Sequence, residues 1–100
     1  MIFVGMDGLI FRVTLEYPTG EPVDLSTAQE MYFQFAFPRQ PERERRDTEL
    51  TGDGTDGVME YVSSADDLER AGPYTVQGWC RTAAGQLLAS EIHEFTVYKQ

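Results

Sequence analysis

The sequence has one cysteine, few basic residues and no long apolar run. Cys80 cannot form a disulfide within the chain, so we expect a hydrophobic core alone to hold the fold, in a reducing compartment. Lys and Arg number 8 against 17 Asp and Glu, and the net charge of -9 argues against nucleic acid and anionic membranes as partners. No segment approaches the roughly 18 apolar residues of a membrane span, and Met1 is not followed by the basic segment of a secretory leader.

Signatures of catalysis are also missing. His93 is the only histidine, which excludes a metal cluster built on histidines and favours a structural or surface role over that of a general base. Cys80 falls on the predicted core face of its strand, where a thiol behaves as a small hydrophobe. We therefore predict no catalytic residue, no metal site and no cofactor, and a protein that is not an enzyme.

The dominant pattern is alternation of apolar and polar residues with a period of two, which is typical of half-buried strands. It predicts about six to eight short strands at roughly ten-residue spacing, and either a bulge or a bend into the other sheet where the phase slips near residues 91–94. One short helical turn is expected near residues 64–71, with a serine cap and Gly72 as its stop. The chain, residues 1–100, is thus predicted to be a single all-β domain, an antiparallel sandwich or barrel.

Tyr74 favours the sandwich. It begins a strand directly after the turn at Gly72 and Pro73, as does the tyrosine corner of immunoglobulin-like sandwiches, in which the hydroxyl binds a backbone group upstream. The alternative is an ordinary core aromatic. Both interpretations place the ring inside the fold.

Residues 38–57 carry a single aliphatic side chain, that of Leu50, and are predicted to form a long exposed loop or edge hairpin, with strand structure around residues 43–50. Half of the basic residues lie here, interleaved with acidic ones so that the segment is nearly neutral: Arg39, Arg43, Arg45 and Arg46. They form either a solvated edge that resists non-native strand pairing or a docking loop that binds carboxylates of a neighbouring subunit.

Trp79 lies out of phase with the predicted core residues of its strand, and Tyr32 with those of another. On the outside of a sandwich, such aromatics form a protein contact or a platform on which sugars stack; alternatively, the phase is inverted and Trp79 lies in the core. Asp53 and Asp56 lie in a glycine-rich turn, predicted to be closed by hydrogen bonds that their carboxylates accept, with calcium binding as the lesser alternative.

The order of these motifs resembles the small immunoglobulin-like domains of tailed-bacteriophage structural proteins, in particular the N-terminal domain of the baseplate upper protein family. The motifs that carry the resemblance are the strand at residues 9–15, the turn segment 20–28, the strand 32–38, residues 56–61 before Asp67-Leu68, residues 71–77, the turn at Gly85 and the last strand at 94–97. The chain departs from that family in having no coiled coil, stalk or receptor-binding tip after this domain, which puts the role of a baseplate arm in doubt.

The resemblance implies an immunoglobulin-like β-sandwich that acts as a virion structural protein of the tail, baseplate, neck or capsid surface. Its partners would be other virion proteins, with no nucleic acid or membrane bound, and it would form a symmetric multimer only within a virion assembled in the bacterial cytoplasm. We predict that Arg39, Arg43, Arg45, Arg46, Trp79 and Tyr32 contact the partner. The alternative function is a carbohydrate-binding module.

Overall fold

The alternating segments form nine strands in the computed structural model, which describes residues 1–99. The strands are β1 Ile2–Phe3, β2 Ile10–Thr14, β3 Glu30–Ala36, β4 Glu44–Asp47, β5 Glu49–Leu50, β6 Val58–Val62, β7 Gly72–Arg81, β8 Leu87–Ala89 and β9 His93–Tyr98. A 3₁₀ helix at Ala65–Leu68 lies within the predicted helical turn. Within residues 1–99, no helix is long and apolar enough to cross a membrane.

The strands belong to two sheets, which confirms the predicted all-β class. One sheet has six strands in the order β1-β9-β7-β3-β4, with β8 also paired to β7, and the other has three in the order β2-β6-β5. Every strand pair is antiparallel except one: β1 runs parallel to β9, with Ile2 opposite Val97. The expectation of purely antiparallel sheets was therefore wrong at β1, whose two residues are too few to show a pattern.

The core lies between the facing sheets, because each alternating strand turns its apolar residues inward. Val13 and Met59 of the smaller sheet contact the six-stranded sheet in one buried cluster that includes Phe33, Val76 and Cys80. The sheets pack closely at Gly78, where a Cβ atom would stand 2.7 Å from the Met59 Cε. A larger residue at this point of β7 would therefore displace the Met59 side chain.

Of the alternatives predicted for residues 38–57, the structure has the edge strand and not the hairpin. β4 pairs with β3 at the edge of the six-stranded sheet, whereas β5 pairs with β6 in the other sheet. The chain crosses between the sheets at the buried Thr48. Loop residues after β5 then pack on the body of the domain, where the Leu15 N–H donates to the Gly57 carbonyl at 2.8 Å.

The phase slip near the C-terminus is a bulge and not the alternative bend into the other sheet, since β8 and β9 both pair with β7. Ala89 lies opposite Trp79 and His93 lies opposite Val76. The three residues 90–92, between β8 and β9, therefore face only two residues of β7. Ser90 anchors the bulge: its N–H donates to the Gly78 carbonyl at 2.8 Å, and its hydroxyl accepts from the Gly78 N–H at 2.9 Å. The bulge leaves β8 and β9 as separate strands along one edge of β7.

Tyr74 makes the hydrogen bond expected of a tyrosine corner. Its ring is buried between Phe37, in an edge contact, and Phe95, in a stacked one. Its hydroxyl donates to the Arg70 carbonyl at 2.7 Å. The bond fixes the loop that joins the 3₁₀ helix to β7.

Candidate functional site

The outer side of the six-stranded sheet carries both aromatic residues that the sequence placed outside the core. Tyr32 of β3 lies directly opposite Trp79 of β7, and the same row continues to Asp47 on β4 and Ala89 on β8. Both rings are half-buried. The alternative of Trp79 in the core is excluded, because Val76 and Cys80, on the other side of β7, are buried between the sheets.

Arg45 covers the Tyr32 ring. Its guanidinium carbon stands 4.0 Å from the ring centroid, the geometry of a cation–π contact. The same guanidinium lies 3.7 Å from Glu30 and 3.6 Å from Asp47, and Arg81 lies 3.7 Å from Glu30. We call this surface, formed by Tyr32, Trp79, Arg45, Arg81, Glu30 and Asp47, the aromatic face; its formal charge is zero.

The indole N–H of Trp79, on the aromatic face, lacks a hydrogen-bond acceptor among residues 1–99. Its Nε1 is buried and makes no hydrogen bond to any residue in the part of the chain that is described. A buried donor without a partner costs about 1–3 kcal/mol. The backbone at Trp79 is paired on both sides, with Tyr32 and with Ala89.

Arg46, next to Arg45, points the opposite way and is engaged inside the chain. Its Nε donates to Asp67 Oδ1 at 3.0 Å, both terminal nitrogens lie 3.3 Å from Glu44 Oε1, and its guanidinium lies over the Phe37 ring. These contacts join the edge strand β4 to the 3₁₀ helix. Of the four arginines predicted to meet a partner, Arg46 is thus the one whose guanidinium is bound to a buried carboxylate.

Asp67 is the centre of this internal cluster. Its Oδ2 accepts from the Tyr61 hydroxyl at 2.6 Å and from the Ser64 N–H at 2.9 Å, in addition to the contact with Arg46. Burial would raise the pKa of Asp67, but these hydrogen bonds and the Arg46 charge outweigh it and hold the pKa below its ordinary value. Burial and the hydrogen bond to Asp67 raise the pKa of Tyr61 to about 12.

The remaining two arginines of the segment lie at the surface. Arg39 has a positive φ of 61°, and its guanidinium donates to the Ala71 carbonyl at 3.3 Å. Arg43 is exposed just before β4. Both side chains are accessible to a partner, but neither lies in the strand pairings that build the aromatic face.

The acidic turn has the conformation predicted for it. Asp53 Oδ1 accepts from the backbone N–H of Thr55 at 3.0 Å and from its hydroxyl at 2.7 Å. Asp56 Oδ1 accepts from the Val58 N–H at 3.1 Å. The carboxylates therefore close the turn, and within residues 1–99 no three Asp, Glu, His or Cys side chains are grouped so that they could hold a metal ion.

Cys80 and His93 lie apart from each other in the two environments that the sequence suggested. Cys80 is fully buried in the core, and burial raises the pKa of its thiol, which disfavours the reactive thiolate. His93 is exposed at the start of β9, beside an open cleft between the sheets.

The internal cluster around Asp67 is what the sequence did not reveal. In the sequence, Asp67 is one of several acids in the predicted helical turn, and Arg46 is one of four arginines in residues 38–57. The two are 21 residues apart, and neither alternation nor turn chemistry indicates such a pair.

The fold and surface define an all-β domain of two facing sheets with one neutral, aromatic outer face. Compared with known proteins, the sequence matches no family model and no curated protein.

Proposed function

We propose that this protein is a non-enzymatic docking domain that binds another protein through the aromatic face. The observation that carries the proposal is the direct pairing of Tyr32 with Trp79 beside Arg45. Tyr, Trp and Arg are the residues that most often dominate binding energy at protein interfaces. The six residues of the face carry no net formal charge on a protein of charge -9, so an acidic partner would meet less repulsion there than the overall charge implies.

A protein partner fits this face better than a sugar does. A sugar ring stacks on an open aromatic surface, but the Arg45 guanidinium covers Tyr32. An interface can keep such an arginine, because a guanidinium recognises carboxylates or carbonyls while it stacks. Glycan binding remains the second candidate, supported by the position of Trp79 on the outside of its sheet.

We further propose that the domain is an immunoglobulin-like sandwich. The order β2-β6-β5 corresponds to strands B-E-D of that fold, and β9-β7-β3-β4 corresponds to G-F-C with an added C′ strand. Tyr74, at the start of the strand that corresponds to F, supplies the tyrosine corner. Val76 stands two residues later, where antibody domains have a disulfide cysteine, and it joins the hydrophobic core instead.

We assign the domain to the virion of a tailed bacteriophage, as an accessory module of the tail, baseplate, neck or capsid surface. The support is the ordered resemblance in sequence described above, together with a surface suited to docking. Its partners would be other virion proteins. Arg39 and Arg43 would extend the contact beyond the aromatic face.

The test is the content and assembly of purified particles. Mass spectrometry should detect the chain in virions, and the isolated protein should co-migrate with a virion component in size-exclusion chromatography. Trp79→Ala should weaken that association by roughly thirtyfold, the effect of losing about 2 kcal/mol at an interface hot spot. Val62→Ala, on the exposed side of the other sheet, is the matched control and should bind as the native protein does.

Two results would count against the proposal. Absence from particles together with failure to co-migrate would refute the virion assignment. Binding on a glycan array that disappears in Trp79→Ala would favour the carbohydrate-binding alternative instead.

A further inference from the structure

A cleft of about 710 Å³ opens between the two sheets on the side opposite β4 and β5. One wall is formed by β2 and the residues that follow it, including Arg12, Thr14 and Glu16. The other wall is the bulge between β8 and β9, with Glu91 and His93. The cleft therefore lies between an edge of one sheet and an edge of the other.

Each wall includes a strand with an open edge, β2 on one side and β8 on the other. Among residues 1–99, β2 pairs only with β6, and β8 pairs only with β7. The Leu15 N–H and the Leu9 carbonyl bind Gly57 and Ser63 on the β6 side. Since backbone groups alternate along an antiparallel strand, those of Arg12 and Thr14 point away from β6, and they are available to a further strand.

The charge at the cleft is negative. Arg12 is paired with Glu60 at 3.0 Å, which neutralises it. Glu16 and Glu91 form no ion pair with any residue in 1–99. An extended segment that carries lysine or arginine would be attracted to the cleft, whereas a second copy of a chain of charge -9 would be repelled.

We propose that the cleft accepts an extended, basic segment of a partner protein, which adds as a strand to the open edge of β2. Backbone hydrogen bonds would supply affinity, and Glu16 and Glu91 would select basic side chains. This site is separate from the aromatic face, because its walls are strand edges and not the outer side of the six-stranded sheet. A domain with both sites would hold two partners, or one partner at two points.

The first test uses two fluorescein-labelled peptides of about ten residues, one alternating Val with Lys and the other alternating Val with Glu. Fluorescence anisotropy should show binding of the Lys peptide and not of the Glu peptide. Amide hydrogen exchange of Arg12 and Thr14 should slow by up to about a hundredfold at a peptide concentration of about 100 times Kd. No binding of the Lys peptide, or binding without slower exchange at these two amides, would overturn the proposal.

The second test separates charge from backbone pairing. The double variant Glu16→Lys, Glu91→Lys should lose binding of the Lys peptide and gain binding of the Glu peptide, whereas Glu42→Lys, an exposed charge reversal outside the cleft, should do neither. Thr14→Pro removes an outward N–H without removing a bond to β6 and should weaken binding at least tenfold. Equal losses in Glu42→Lys and the cleft variants would mean non-specific attraction and would refute the site. Because the peptides need no virion component, failure here leaves the proposed docking of the aromatic face unaffected.

Discussion

Arg45 and Arg46 are neighbours on the same edge strand and lie in opposite environments. The Arg46 side chain is 27% exposed and is bound to the buried Asp67, whereas that of Arg45 is 50% exposed and lies on Tyr32. One side of β4 therefore connects the edge strand to the 3₁₀ helix through Asp67, while the other side carries the Arg45 cation on the face that we propose binds a partner. The comparison shows that similar residues adjacent in the sequence can lie in different environments, because alternate side chains of a strand point to opposite sides of the sheet.

The largest effect on the free energy of unfolding is expected from removing Asp67, which binds Arg46 on the inner side of β4. Asp67→Ala should lower the free energy of unfolding by about 2–4 kcal/mol, because it leaves Arg46, the Tyr61 hydroxyl and the Ser64 N–H without their acceptor. Urea denaturation monitored by circular dichroism measures the difference. Asp66→Ala, at the neighbouring exposed position, is the control and should change little. Equal stability of the two variants would show that the cluster contributes nothing.

Acid should reproduce part of that loss. The pKa of Asp67 is lower in the folded protein than in the unfolded chain, so the unfolded chain takes up its proton first as the pH falls. The contribution of Asp67 is thus fully present above the ordinary aspartate pKa of about 3.9 and is lost as the pH drops through the folded value. Stability measured across this range should decline more steeply for the native protein than for Asp67→Asn. If the stability of the native protein and that of Asp67→Asn declined equally with falling pH, the proposed contribution of Asp67 would be contradicted.

Substitutions of Arg45 and Arg46 are expected to have the smallest effects on the free energy of unfolding, and to differ clearly from each other. Arg46→Ala should cost about 1–3 kcal/mol of stability, since a charged hydrogen bond to a buried carboxylate is lost. Arg45→Ala should cost less than about 1 kcal/mol, because its ion pairs and ring contact are exposed. Thermal unfolding of both variants provides the measurement, with partner binding as the second readout. The proposed roles would be reversed if Arg45→Ala unfolded more readily and Arg46→Ala alone lost the partner.

The local pattern of residues predicted the strands and the outward position of the two aromatic residues, but not the internal cluster around Asp67. The alternation in β3 and β7 placed Tyr32 and Trp79 outside the core, and the phase slip located the bulge, because both signals depend on adjacent residues. The crossing at Thr48 and the pair of Arg46 with Asp67 could not be predicted, since they arise from which strands meet and not from the residues on either side. The parallel partner of β1 was missed for the same reason.

The pairing of β1 with β9 determines how the domain responds to force. The strands are parallel and adjacent, so tension applied at Ile2 and Tyr98 pulls them in opposite directions along their axes. Their hydrogen bonds, with the one from the Val4 N–H to the Tyr98 carbonyl, are then strained together in shear and not opened one after another. A domain attached through these strands would resist extension more strongly than one of the same stability that is pulled open from a hairpin.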